Sequence, residues 1–114
     1  MTGLRQALRG FVESYHACDA LVAEQSAWCC GIRLESQDSP DVAHLEIEAG
    51  RVVQIASAVS SCSLVVRSEL AVLVDILTFR RDPNEAYLFV ELTVEGAEED
   101  FMRLDYIVTR LCAQ

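Results

Sequence analysis

The sequence predicts an α+β domain: a mostly antiparallel five-stranded sheet with helices packed on one face. Three observations carry that expectation. Apolar residues recur at three- and four-residue steps near both ends of the chain and again around residue 70, which is helical spacing. Between and after those stretches the period changes to two, the spacing of half-buried strands. Two of the strand-like runs, around residues 42–57, are joined by a short glycine turn and therefore pair as an antiparallel hairpin. With 114 residues the chain can bury one core unaided and has no room for two, so residues 1–114 read as a single domain.

Each element follows from its own residues. Leu4, Ala7, Leu8, Phe11, Tyr15, Cys18 and Val22 predict one N-terminal helix of about six turns, with Arg5, Arg9, Glu13 and Asp19 on its far side. From Ser26 onward Trp28, Cys30, Ile32 and Leu34 alternate with Cys29, Gly31, Arg33 and Glu35, a first strand closed by the turn-rich "SQDSPD". "VAHLEIEA" is a second strand, with Ala43, Leu45 and Ile47 on one face and His44, Glu46 and Glu48 on a face expected to be wet. In "EAGR" Gly50 can supply a positive φ, which returns "VVQIAS" as the hairpin partner, and "SCSLVV" is a fourth strand.

"SELAVLVDILTF", residues 68–79, predicts a helix with Ser68 as N-cap, Glu69 in its first turn, and Arg80 and Arg81 at its end, charges that suit the helix dipole. Asp82, Pro83 and Glu85 predict one short helical turn. "LFVELTVE" is a fifth strand, in which Leu88, Val90, Leu92 and Val94 oppose Phe89, Glu91, Thr93 and Glu95, and Gly96 ends it. The last helix opens on Glu98, Glu99 and Asp100 and buries Phe101, Leu104, Val108 and Leu111, with Met102 and Tyr106 off that stripe.

Charge and composition narrow the function classes. Eighteen acidic against nine basic residues give a net charge of -9, which repels phosphate backbones, so no nucleic acid partner is expected. No apolar run approaches the roughly 20 residues of a membrane span, and "MTGLRQALRGF" lacks a secretory pattern, so the expected location is cytoplasmic. Cys18, Cys29, Cys30, Cys62 and Cys112 form an odd set with no C-x-x-C spacing, which signals neither a disulfide framework nor a zinc site. His16 and Asp19 read as a surface polar pair one helical turn apart, too few ligands for a metal. Cys29 and Cys30 point to opposite faces of their strand, and only His44 on the next strand offers either of them a base. Trp28 shares a face with Ile32 and Leu34 and reads as core. No catalytic residue, metal or cofactor is expected.

What remains is a surplus of apolar side chains. The chain is 52% hydrophobic, and its mean hydropathy is +0.23. The helix at 68–79 carries two apolar faces: Leu70, Leu73, Val74 and Leu77 on one, Val72, Ile76 and Phe79 on the other. Leaving three large side chains in water forfeits about 1.5–3 kcal/mol each, against a typical total stability of about 5–15 kcal/mol. Three covers compete for the second face: the N-terminal helix, a hydrophobic small molecule or lipid, and a second copy in a homodimer. In the ligand reading Val72, Ile76 and Phe79 line the site with Phe89, Met102 and Tyr106, and Asp75, between the two faces, holds a polar head. Arg67, Arg80 and Arg81 form the densest basic group, placed either to guide an anionic headgroup or simply to serve the dipole and solubility.

The stretches "HLEIEAGRVVQI", "SCSLVVRSELAVLVDIL" and "DPNEAYLFVELTVEGAEEDFMRLDYIVTRL" together resemble the sterol carrier protein 2 domain family. The resemblance spans about residues 42–111, is most specific over Leu88 to Gly96, and from Asp82 onward is most similar to short bacterial members that assist ubiquinone biosynthesis. Val90 and Ala97 stand where family members usually have glycine and aspartate. The resemblance implies a fold with an apolar tunnel between sheet and helices that binds lipid-like molecules and has no catalytic apparatus. The expected function is therefore a binding, carrier or accessory protein for an apolar or amphipathic, lipid- or isoprenoid-like molecule. The alternatives are an oligomeric interaction subunit and a small enzyme that shapes a hydrophobic substrate in the same cavity.

Overall fold

The computed structural model describes residues 3–56, 62–81 and 92–112. In chain order the elements are α1 (Leu4–His16), α2 (Asp19–Glu24), β1 (Cys30–Ser36), β2 (Val42–Glu48), β3 (Arg51–Ala56), β4 (Leu64–Ser68), α3 (Leu70–Leu77), β5 (Leu92–Gly96) and α4 (Glu98–Cys112). The short helical turn expected at 82–85, and the first part of the fifth strand with Phe89, lie outside the described residues.

The five strands form one sheet in the order β3-β2-β1-β4-β5. Three of its four junctions are antiparallel, and the one between the middle strand β1 and β4 is parallel, pairing Ile32 with Leu64 and Leu34 with Val66. Alternation then decides the faces. Cys30, Ile32, Leu34, Ala43, Leu45, Ile47, Leu64, Val66 and Leu92 all point into one core, where the helices cover them. On the other face Glu35 lies between Arg33 and Arg67, and Arg67 also reaches Glu95 at 2.8 Å. The Arg67 hydrogen bond is the main reason the Glu35 carboxyl sits below the usual carboxylate range. His44 departs from the wet-face expectation, being only 3% exposed. β2 is an interior strand, and Arg33 and Ala56 flank His44 from both neighbours.

The tight turn between β2 and β3 places Ala49 at φ 50° and Gly50 at φ 79°. A Cβ on Gly50 would lie 2.5 Å from the Gln25 carbonyl oxygen, so only glycine fits this close approach. The hairpin is also where α1 ends. Tyr15 donates its hydroxyl to the Gly50 carbonyl, and the Val52 N–H donates to His16 Nε2 at 3.1 Å. Those two side chains dock the last turn of α1, and the helix expected to continue through Val22 breaks there. Cys18 N–H bonds Tyr15 oxygen at 3.1 Å, and the chain restarts as α2 with Leu21, not Val22, fully buried. His16, expected in a surface pair with Asp19, instead accepts a hydrogen bond from β3.

α3 also starts differently from the expectation. Ser68 is the buried last residue of β4, not an N-cap, and Glu69 takes the cap position without a side-chain cap bond. The free end of the helix is capped from elsewhere in the chain: Asp38, in the β1–β2 turn, accepts the Leu70 N–H at 2.9 Å. At the other end α3 stops at Leu77, so Arg80 and Arg81 lie beyond it.

Candidate ligand-binding site

α3 is apolar on nearly every side, and the structure covers it from two directions. α1 packs along one flank, where the Phe11 and Phe79 rings meet at 6.1 Å between centroids. The opposite flank, Leu73, Ile76 and Leu77, faces the sheet and α4. Ile76 and Leu73 lie only about 60° apart around a helix that turns about 100° per residue. That is how a residue assigned to the second face shares a wall with two assigned to the first.

At this seam lies a small apolar cavity of about 30 Å³. The sheet contributes Leu34, Val66 and Leu92 to its floor, and α4 contributes Phe101, Leu104, Asp105 and Val108 to its far wall. Asp105 is the single charged residue among the described lining residues, and its carboxylate does not face the cavity. A volume of that size admits about one water molecule, whereas pockets that hold drug-sized ligands are about 300–1,000 Å³.

Of the seven residues expected from sequence, Ile76 is in this wall. Val72 is buried in the core, and Phe79 packs on Phe11. Asp75 is half-buried on α3 and its backbone carbonyl accepts the Arg80 N–H at 2.7 Å, but it is not among the lining residues. Phe89 lies outside the described residues. Met102 and Tyr106, 61% and 38% exposed, line a separate open groove on the solvent side of α4 with Gln25, Glu98, Glu99 and Arg103. Tyr106 donates to Glu24 at 2.7 Å and accepts from Arg110 at 2.7 Å. Phe101, Leu104 and Asp105 line the cavity without being among the residues expected from sequence. The signal was present for two of them, since Phe101 and Leu104 belong to the core stripe of the last helix, and a stripe that meets a sheet also walls any cavity between the two.

The other reactive side chains serve the fold. Trp28 is buried and donates its indole N–H to Asp100 at 3.0 Å, tying the start of α4 to the start of β1. Burial, reinforced by the Asp100 carboxylate, pushes the Cys30 thiol up to about 11, so at neutral pH it is protonated and unreactive. Burial and the Arg51 charge both lower the His16 pKa, which keeps Nε2 available as the acceptor for Val52. Among the described residues no cluster of three or more His, Cys, Asp or Glu side chains is placed to hold a metal ion, and no helix is long and apolar enough to cross a membrane.

No protein-family model matches the chain, and no curated protein matches its sequence. Solved structures do. The crystal structure of sterol carrier protein 2 superposes with a TM-score of 0.68 at 13% identity, covering 99% of this chain and 96% of that one. A UbiJ-SCP2 ubiquinone synthesis protein gives a TM-score of 0.68 at 15% identity, covering 94% of this chain and 86% of its own. A palmitated SCP2L2 from Aedes aegypti gives 0.58 at 12% identity, with 84% and 92% covered. The chain has the sterol carrier protein 2 fold.

Proposed function

We propose that this chain, built on the sterol carrier protein 2 fold, is a carrier or accessory protein that takes an apolar or amphipathic small molecule between its sheet and helices α3 and α4. The observation that carries the reading is the apolar seam itself, a cavity lined by side chains of α3, α4 and the sheet. Packing a small domain to its usual density leaves few such voids. The palmitated neighbour and the ubiquinone synthesis neighbour support a long, chain-like ligand of acyl or isoprenoid type. In this reading Ile76, Leu73, Leu77, Phe101 and Leu104 touch the ligand, Phe79 acts indirectly by holding its end of α3 against Phe11 of α1, and Val72 acts as buried core. Because about 30 Å³ holds no acyl chain, α3 and α4 must part on binding, and the ligand then replaces the contacts that the two helices give up.

The test is organic extraction and mass spectrometry of the purified protein, together with fluorescence titration with N-phenyl-naphthylamine. A retained long-chain lipid or isoprenoid, and saturable binding of the dye, are expected. Leu104→Trp fills the seam and should weaken dye binding about tenfold, or roughly 1.4 kcal/mol, while Met102→Ala, on the outer groove, should leave it unchanged. A protein that carries no lipid and binds no dye, or equal responses from the two variants, would sink the reading.

A further inference from the structure

We infer that the open groove on the solvent side of α4 is a docking site for a basic, amphipathic helix of another protein. The carrier reading concerns a different face of α4, and the inference does not rest on it. Glu98, Glu99, Met102, Arg103 and Tyr106 share one side of the helix, centred about 140° around it from the stripe that walls the seam. Among the described residues the large apolar side chains left exposed are Val53, Met102 and Tyr106, and two of the three lie together here. The groove has a volume of about 560 Å³. From Glu98 to Tyr106 it runs about 12 Å along α4, enough for two turns of a partner helix.

The groove is held in shape from the side of α2. Tyr106 is fixed between Glu24 and Arg110, and Arg103 donates to Gln25 Oε1 at 2.7 Å while lying 3.7 Å from Glu99. An aromatic side chain already held in place loses little freedom on binding. Both arginines are thus turned towards the end of α2, and the carboxylates face out: the Glu99 side chain is 81% exposed, against 33% for Arg103. Glu98 is exposed and makes no ion pair among the described residues. A partner helix meets this pattern with two large apolar residues one turn apart, over Tyr106 and Met102, and a Lys or Arg one turn further, over the rim of Glu98 and Glu99. The charge of -9 draws such a partner in from solution. A second copy of this chain, or an anionic lipid surface, brings like charge to the same rim and is disfavoured.

The experiment is fluorescence anisotropy of a fluorescein-labelled helical peptide built from leucine and lysine in that pattern, titrated with the purified chain, beside the same peptide with glutamate for lysine. The lysine peptide should bind saturably, and the glutamate peptide about tenfold more weakly or less. Met102→Ala should weaken binding of the lysine peptide about tenfold, as loss of a central anchor does. Glu98→Gln combined with Glu99→Gln should remove most of the salt dependence. Val53→Ala, at the exposed apolar residue outside the groove, should change nothing. All these positions are exposed, and circular dichroism checks that each variant keeps the fold. Equal binding of the two peptides, equal responses from Met102→Ala and Val53→Ala, or no binding at all would overturn the inference. So would a dimer in light scattering that Met102→Ala dissolves, or sedimentation with phosphatidylglycerol vesicles that is lost in the same variant, since either identifies a different occupant. Lipid extraction and dye binding are read separately, so the carrier reading can stand or fall without this one.

Discussion

Phe79 holds its backbone at φ 64°, a left-handed conformation that bulky L-residues avoid. The hydrogen bonds around it explain the position. Phe79 N–H bonds the Ile76 carbonyl at 3.2 Å and Arg80 N–H bonds the Asp75 carbonyl at 2.7 Å, the paired closure that ends many helices and usually places glycine at this residue. What the phenylalanine adds here is its ring, which packs on Phe11; its backbone carbonyl accepts from Cys112 Sγ at 3.2 Å whatever the side chain. Both Phe79→Gly and Phe79→Ala should lose the ring contact and fall below the wild type in urea unfolding. The glycine variant should nevertheless be about 1 kcal/mol more stable than the alanine variant, since alanine keeps the left-handed strain; equal midpoints would show that the strain is not there. Sequence gave no sign of this, because the usual mark of a left-handed helix end is a glycine and here the mark is absent.

At the scale of the element, α3 depends on a residue far away in the chain. Asp38 accepts the Leu70 N–H and the Ser36 hydroxyl, at 2.9 and 2.8 Å, and the Leu70 bond is the main cause of its lowered pKa. A carboxyl whose pKa is depressed by folding stabilises the fold above its unfolded value, here 3.8, and that contribution is lost as pH falls through the folded value. Asp38→Ala should therefore lower the Tm at neutral pH, and the gap to the wild type should narrow below pH 3.8. A gap constant with pH would remove the carboxylate from the argument. Helical spacing located α3 but could not locate its cap, which comes from a different turn. For the same reason the break between α1 and α2 was invisible: apolar residues continue past it at helical intervals, and the interruption is imposed by Tyr15 and His16 docking on the β2–β3 hairpin. The period-two run of β2 reads almost residue for residue, and that of β1 reads from Cys30 onward, two residues inside the expected start at Trp28, because a strand buried on one face leaves its pattern in its own sequence. His44 is the exception, and its burial depends on neighbours in β1 and β3.

Across the whole molecule, the fold class was legible and the site only in outline. The surplus of apolar residues in α3 was real, but which flank met α1 and which met the seam depended on how α4 was laid against the sheet, a long-range fact that brought in Phe101, Leu104 and Asp105 and left Met102 and Tyr106 outside. The parallel junction between β1 and β4 has a consequence of a different kind, in the time course of folding. β1, β2 and β3 are joined by short turns and can zip together locally, whereas β4 must return from a distant part of the chain to pair Ile32 with Leu64. Loop closure of that length is met only after local pairing has begun. Trimming a buried side chain in the meander, as in Ile47→Val, should slow refolding in stopped-flow measurements. A trim across the junction, as in Val66→Ala, should act mainly by speeding unfolding. Chevron arms that respond alike to both would mean the two halves of the sheet form together; the expected result makes β4, β5 and the helices that wall the seam the late-arriving half of the protein.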